Sequence, residues 1–270
     1  MASHFNIQAP TSWNDLTDRS LLGIAHVLQT SNLLIDAQLK AFCEIIELRW
    51  WQLKRQWHLF FADDESCERM REAAEWIWES NTLTRQLLPR IRVGVTYYYG
   101  PADRLKNLTF KEFVFAYNLY VAYKKYKQPE RLDQLIAVLY RPKQPGLTTQ
   151  HPDYQGDLRQ PFNNHLIEQR AKKMAKLPDY YKQAILIWFE GCFNWMVERY
   201  EQLFSTNETT SEAEGGLKEL IHRLSGGTFG DFTQTEQTNI FDIMDQLNIN
   251  VKDNKEHERN MAEMRNKSAS

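Results

Sequence analysis

The sequence has few cysteines, no long apolar run and almost no net charge. The three cysteines, Cys43, Cys67 and Cys192, are odd in number and far apart, which fits neither a disulfide framework nor a paired-cysteine zinc site. No stretch approaches the roughly 18 consecutive apolar residues of a membrane span, and the amino terminus lacks a secretion signal. The formal net charge is −2, so no overall field attracts nucleic acid. We therefore expect reduced thiols, cytoplasmic residence, no membrane contact and only weak nucleic-acid binding.

The known motifs of enzyme chemistry are also missing. The glycines within 226–230 lack the Gly-Lys-Ser/Thr ending and the preceding strand of a nucleotide-binding loop. His165 and Glu168 have the spacing of a shared metal site, but in the reverse order of the di-iron motif and without a second copy. Cys192 lies on the apolar face of a helical pattern, where a thiol is inert. The sequence thus predicts a protein that is not an enzyme, with no catalytic residue, cofactor or bound metal.

Aromatic residues are abundant, at 13% of the chain, with 8 Trp and 12 Tyr. Many of them follow a helical spacing in two long segments, 36–61 and 178–204, and we expect these two helices to pack together as the main core. Rings of this size also suit binding surfaces. The candidate partner-binding residues are Trp50, Trp57, Phe60, Phe229 and Phe241.

The remaining pattern predicts a mainly α-helical, multi-helix bundle with a short β or extended element. Thr17 and Ser66 are expected to cap helices, and 81–88 is expected to form a short helix. The β-prone residues of 91–99 predict one extended connector or hairpin arm.

A helical hairpin is predicted farther along the chain. Thr109 and Glu112 have the spacing of a capping box, in which each side chain satisfies a free backbone N–H group at a helix start. The helix that they open is followed by Pro129, which suits the first turn of a second helix. Two helices joined this closely should pack side by side.

Composition divides the chain into four parts. Residues 1–204 form a main helical domain that contains a disorder-prone or functional loop at 141–162, where proline and glycine remove helical options. Residues 205–216 have the composition of a flexible linker. Residues 217–250 then form a small helical module, which should lean on the main domain or on a partner chain, and 251–270 form a charged, flexible tail.

One region combines basic and aromatic side chains. It contains Lys124, Lys125, Lys127 and Arg131, followed by Arg141 and Lys143, with tyrosines between them. Such a mixture can grip phosphates and stack bases of single-stranded nucleic acid. It is also typical of the solvated face of a helical hairpin, so both interpretations stay open.

Several segments of the sequence resemble a protein family encoded in bacteriophage and prophage tail gene clusters. They are 10–17 (PTSWNDLT), 99–113 (YGPADRLKNLTFKEF) and 135–142 (LIAVLYRP), together with 217–221, 227–230 and a last helix through Leu247. The resemblance implies a role in tail morphogenesis, most plausibly as a tail assembly chaperone that binds the tape measure protein or the tail tube protein.

A chaperone of this kind needs grooves for amphipathic helices, because its client is a long, aggregation-prone helical chain. The expected location is the cytoplasm of the bacterial host, or the virion if the chain is instead a structural or tail-completion component. A nucleic-acid-binding helical module is the third hypothesis, and a homo-oligomer is a further option for the assembly state.

Overall fold

The computed structural model describes residues 9–48, 63–204 and 236–268. It confirms a mainly α-helical fold with one small antiparallel sheet. The strands are β1 (Arg90–Val93), β2 (Thr96–Tyr99) and β3 (Arg141–Pro142). The helices are α1 (Asp18–Thr30), α2 (Leu34–Ile45), α3 (Asp64–Ala74), α4 (Trp76–Glu79), α5 (Phe110–Tyr126), α6 (Pro129–Leu139), α7 (Ile167–Met174), α8 (Asp179–Arg199), α9 (Glu201–Phe204) and α10 (Ile240–Ser268).

The amino-terminal helices pack in an order that differs from the prediction. The Thr17 hydroxyl caps α1 as expected and accepts the Ser20 N–H at 3.1 Å. α1 packs against both α2 and α8, while α2 packs mainly against α1 and α3. The expected direct packing of segments 36–61 and 178–204 is therefore wrong for the described part of the chain, because α1 lies between α2 and α8.

The helix predicted over 36–61 ends early. α2 stops at Ile45, and Glu47 adopts the left-handed backbone region with a φ of 50°, which a continuing helix does not allow. Residues 49–62, which include the candidates Trp50, Trp57 and Phe60, lie outside the described residues. The helix start at the next segment also shifts, since Asp63 rather than Ser66 is the capping residue, and its carboxylate accepts the Ser66 N–H at 2.8 Å.

The predicted helix at 81–88 is wrong, because this segment is an extended connection. Side chains from distant parts of the chain satisfy its backbone: Asn14 Oδ1 accepts the N–H groups of Thr84 and Arg85 at 2.9 Å. Leu83 is fully buried against α8. Tertiary hydrogen bonds thus replace the local ones that a helix would have formed.

The predicted helical hairpin is confirmed in α5 and α6. Thr109 Oγ1 accepts the Glu112 N–H at 3.3 Å at the start of α5. Lys127 ends α5 in the left-handed region with a φ of 53°, and Pro129 occupies the first turn of α6. α6 then packs against α7 and α8, so the hairpin is part of the main core.

The β-prone segment forms a two-stranded hairpin extended by β3. Arg90 pairs with Tyr99 and Val93 pairs with Thr96, and the strand order is β1-β2-β3. Gly94, with a φ of +60°, occupies the first position of the two-residue turn, where a positive φ matches the twist of the strands. Ile91 and Tyr98 are buried on the inner face of the sheet.

The last helix belongs to the main core. The Phe110 N–H donates to the Thr238 carbonyl at 2.8 Å, and the Ile240 N–H donates to the Leu108 carbonyl at 3.1 Å. Ile243 and Met244 are fully buried. The described part of the predicted module 217–250 therefore leans on the main domain, and α10 continues to Ser268 where the sequence predicted a flexible tail at 251–270.

The core is rich in aromatic rings, among which Trp188, Tyr98, Tyr140, Phe113 and Phe189 are almost completely buried. Each of the helices within the described ranges is too short or too polar to cross a bilayer.

Candidate functional site

A cluster of buried charges lies where the loop 141–162 meets the start of α5. Glu112, near the start of α5, is 2.7 Å from Arg141 Nη1 through Oε1 and 3.4 Å from Arg159 Nη2 through Oε2. Asp157 contacts the same arginines at 3.7 Å and 2.7 Å. Two arginines therefore face two carboxylates, and the cluster carries no net formal charge.

The side chain of Arg141 is only 2% exposed, and this burial affects the pKa of its guanidinium group. Removal from water, and secondly the charge of Arg159, lowers the pKa of the Arg141 guanidinium to about 10, although Glu112 and Asp157 act in the opposite direction. Arg141 Nε lacks a hydrogen-bond partner within the described residues. Burying the Arg141 charge is tolerated only because the carboxylates of Glu112 and Asp157 lie beside it.

Arg159 is the residue that ties the loop to the helices. Its Nε donates to Asp157 Oδ1 at 2.9 Å, its Nη1 donates to the Leu139 carbonyl at 3.0 Å, and its Nη2 donates to the Asn107 carbonyl at 3.1 Å. Lys143 also forms an isolated β-bridge with Arg159. These contacts fix the loop 141–162 against the neighbouring elements, whereas the sequence predicts a disorder-prone or functional loop.

A cleft of about 470 Å³ opens beside the charged cluster. The polar groups of its walls bond to one another: Gln86 N–H donates to Asp103 Oδ1 at 2.7 Å, and Ala102 N–H donates to Asn107 Oδ1 at 2.8 Å. These bonds hold the shape of the cleft. Its lining comprises Gln86, Pro89, Tyr99, Gly100, Pro101, Ala102, Asp103, Lys106, Asn107, Tyr154, Gly156, Asp157, Leu158 and Arg159.

The structure divides the basic and aromatic region into a surface part and a buried part. Lys124 is 2.8 Å from Glu190 of α8, and the ammonium groups of Lys125 and Lys127 lie over neighbouring tyrosine rings at 5.5 Å and 5.6 Å. Arg131 donates to Gln134 at 3.1 Å. In contrast, Arg141 is buried in the charged cluster, so the six basic residues do not form one surface.

The other candidates from the sequence are placed as follows. Phe241 packs against Trp195, with ring centroids 5.8 Å apart, and Phe229 lies outside the described residues. His165 is exposed, while Glu168 accepts a hydrogen bond from Gln134 at 3.3 Å. Within the described residues, no three histidine, cysteine, aspartate or glutamate side chains come together as metal ligands would. Burial raises the pKa of the Cys192 thiol, as its apolar setting predicted.

An apolar surface that sequence reasoning missed lies at the start of α2. Leu33, Leu34 and Ile35 are 66%, 56% and 59% exposed, and we call these three residues the α2 patch. Leu33 stands just before α2 and Leu34 and Ile35 begin it, whereas the buried face of the helix is formed by later residues such as Ala37 and Ala41. The Leu-Leu-Ile run in the sequence was the available signal for this exposure.

Comparison of the chain with protein-family models, with curated proteins and with solved structures finds no match.

Proposed function

We propose that the chain is a non-enzymatic interaction protein of bacteriophage tail morphogenesis, in which it acts as an assembly chaperone for the tape measure protein. The proposal rests on the resemblance of the sequence to tail-cluster proteins and, in the structure, on one observation, the α2 patch. Large apolar side chains that stay exposed at adjacent positions offer a surface to which a partner protein can bind.

The shape of the α2 patch suits a helical client. Leu33 precedes α2 and Leu34 and Ile35 begin it, while the buried residues Ala37 and Ala41 hold the inner face of the same helix against the core. The patch is therefore presented by a helix that is already packed. Apolar side chains on a fixed helix can bind the apolar stripe of an amphipathic helix, and the resemblance implies a client that is a long helical chain.

Co-purification of the tape measure protein with the tagged full-length chain tests this proposal. We expect Leu34→Glu and Ile35→Glu to abolish co-purification, because a carboxylate would be desolvated in the complex. Tyr126→Ser is the matched control, since Tyr126 is 60% exposed and lies at the far end of α5. All three variants should unfold within about 0.5 kcal/mol of the wild type, as exposed positions do.

Three outcomes decide the assignment. Failure of the wild-type chain to bind the tape measure protein overturns the proposed function. If binding survives both substitutions, the α2 patch is not the binding surface for the tape measure protein. Retention of the chain in purified, finished tails assigns the role of a structural virion component instead of a chaperone.

A further inference from the structure

Strand β1 leaves its outer edge unpaired within the described part of the chain, where the sheet order is β1-β2-β3. The Gly100 N–H donates to the Pro89 carbonyl at 3.0 Å, which sets the alternation of the β1–β2 ladder. Because Ile91 and Val93 then bond to β2, the N–H and C=O groups of Arg90 and Arg92 point away from it. Within the described ranges, these four backbone groups have no partner and can pair with another extended chain.

The side chains beside this edge are positively charged. Arg90 and Arg92 are exposed and lie on one face with Tyr97, with guanidinium carbons 4.8 Å and 5.9 Å from the centre of its ring. Arg92 Nε also donates to the Gly94 carbonyl at 2.9 Å. Neither arginine takes part in an ion pair formed by the described residues. The Tyr97 ring and the Gly94 carbonyl thus position two guanidinium groups that have no carboxylate partner among the described residues.

The positive charges beside the edge of β1 favour some partner chains over others. A second copy of the hairpin would bring its own arginines against Arg90 and Arg92, and like charges opposite each other destabilise a sheet. An extended segment with aspartate or glutamate at alternate positions would place carboxylates there instead. Single-stranded nucleic acid would use the charges and the Tyr97 ring but not the free backbone groups.

We propose that the outer edge of β1 binds an extended acidic segment of a partner protein, which adds a further strand to the sheet. The backbone groups of Arg90 and Arg92 pair with the backbone of the incoming strand, and their side chains pair with its carboxylates. This surface is separate from the α2 patch and does not depend on the proposed function.

The probe is a fluorescent peptide in which glutamate alternates with valine. It has about eight residues, which is within the length range of ordinary strands. Anisotropy measures its binding to the full-length chain, and hydrogen exchange measures the backbone amides. We expect the peptide to bind and to protect the amides of Arg90 and Arg92. The double variant Arg90→Glu, Arg92→Glu should weaken binding at least about tenfold and should favour a lysine-valine peptide.

Arg131→Glu is the matched control, because this exposed arginine lies on α6, away from the hairpin, and should leave binding unchanged. Leu34→Glu should also leave it unchanged, which separates this site from the α2 patch. The proposal is overturned by absent binding at about 1 mM peptide, by binding that survives the double variant, or by unprotected Arg90 and Arg92 amides. An oligonucleotide that binds more tightly than the acidic peptide, and is lost in the double variant, would overturn it in favour of nucleic acid.

Discussion

Glu112 and Arg141 form a buried ion pair, with Oε1 and Nη1 2.7 Å apart and side-chain exposures of 5% and 2%. Glu112 stands at the third position of α5, where a capping box would direct its carboxylate back to the Thr109 N–H. Instead it forms ion pairs with Arg141 of β3 and with Arg159 of the loop that follows β3. Glu112, which is expected to cap its own helix, thus forms a contact with distant parts of the chain.

The first prediction concerns this carboxylate. Glu112→Gln keeps the shape of the side chain but leaves Arg141 and Arg159 with Asp157 alone, so we expect a loss of about 3 to 5 kcal/mol in the free energy of unfolding. Urea denaturation measures it. Glu68→Gln is the control, because Glu68 is 59% exposed and pairs with Arg71 on the surface, where the loss should be at most about 1 kcal/mol. Equal losses in both variants would show that the buried cluster contributes no special stability.

Two helical glycines should respond oppositely to the addition of one methyl group. A Cβ at Gly191 would lie 2.3 Å from the Leu83 carbonyl oxygen, which belongs to the extended segment against α8. A Cβ at Gly23 would instead meet the end of the flexible Glu44 side chain, which can rotate away.

We therefore expect Gly191→Ala to destabilise the protein by about 1 to 3 kcal/mol through overpacking. Gly23→Ala should be neutral or stabilising by up to about 1 kcal/mol, since alanine favours the helix. Thermal unfolding of the two variants provides the comparison. If Gly191→Ala is as stable as the wild type, segment 81–88 does not lie against α8.

Local rules explain which elements the sequence could predict. The Thr17 cap, the Thr109 cap and the proline start of α6 depend on residues within a few positions of one another, and all three were confirmed. The segment 81–88 depends instead on Asn14 and Asp103, which accept its N–H groups. No periodicity within the segment carries that information, so the local pattern predicts a helix there.

The candidate sites were harder to predict for the same reason. The charged residues of the cluster come from the start of α5, the strand after α6 and the loop that follows. Sequence proximity therefore groups Arg141 with the surface lysines that precede it, although its side chain is buried. The α2 patch lies just before the predicted helical segment 36–61, so no predicted helix includes it. The end of α2 at Ile45 depends on backbone conformation that side-chain spacing does not encode.

The third prediction tests whether α10 belongs to the main core. Met244 is completely buried, whereas Met264 on the same helix is 58% exposed. Met244→Ala should destabilise the single unfolding transition by about 2 to 5 kcal/mol, and Met264→Ala should change it by less than about 0.5 kcal/mol. A separate, early transition that alone responds to Met244→Ala would restore the interpretation of an independent module.

The last prediction concerns alkaline pH and the hydroxyl that links α8 to α10. Tyr200 donates its O–H to Asp245 Oδ1 at 2.6 Å. Burial, and secondly this hydrogen bond to Asp245, raises the pKa of Tyr200 from 10.0 to about 12. Between these two pH values the folded protein keeps a proton that the unfolded chain has lost. This contribution to stability is therefore complete below about pH 10 and disappears as the pH rises through about 12.

Urea denaturation at about pH 9 and about pH 11.5 measures the effect. At about pH 9, Tyr200→Phe should lose about 1 kcal/mol because the hydrogen bond is missing. Its further decline toward pH 11.5 should be smaller than that of the wild type, since phenylalanine does not ionise. Tyr126→Phe, at a position that is 60% exposed, should follow the wild-type decline. If Tyr200→Phe declines as steeply as the wild type, the Tyr200–Asp245 bond does not control the docking of α10 at alkaline pH.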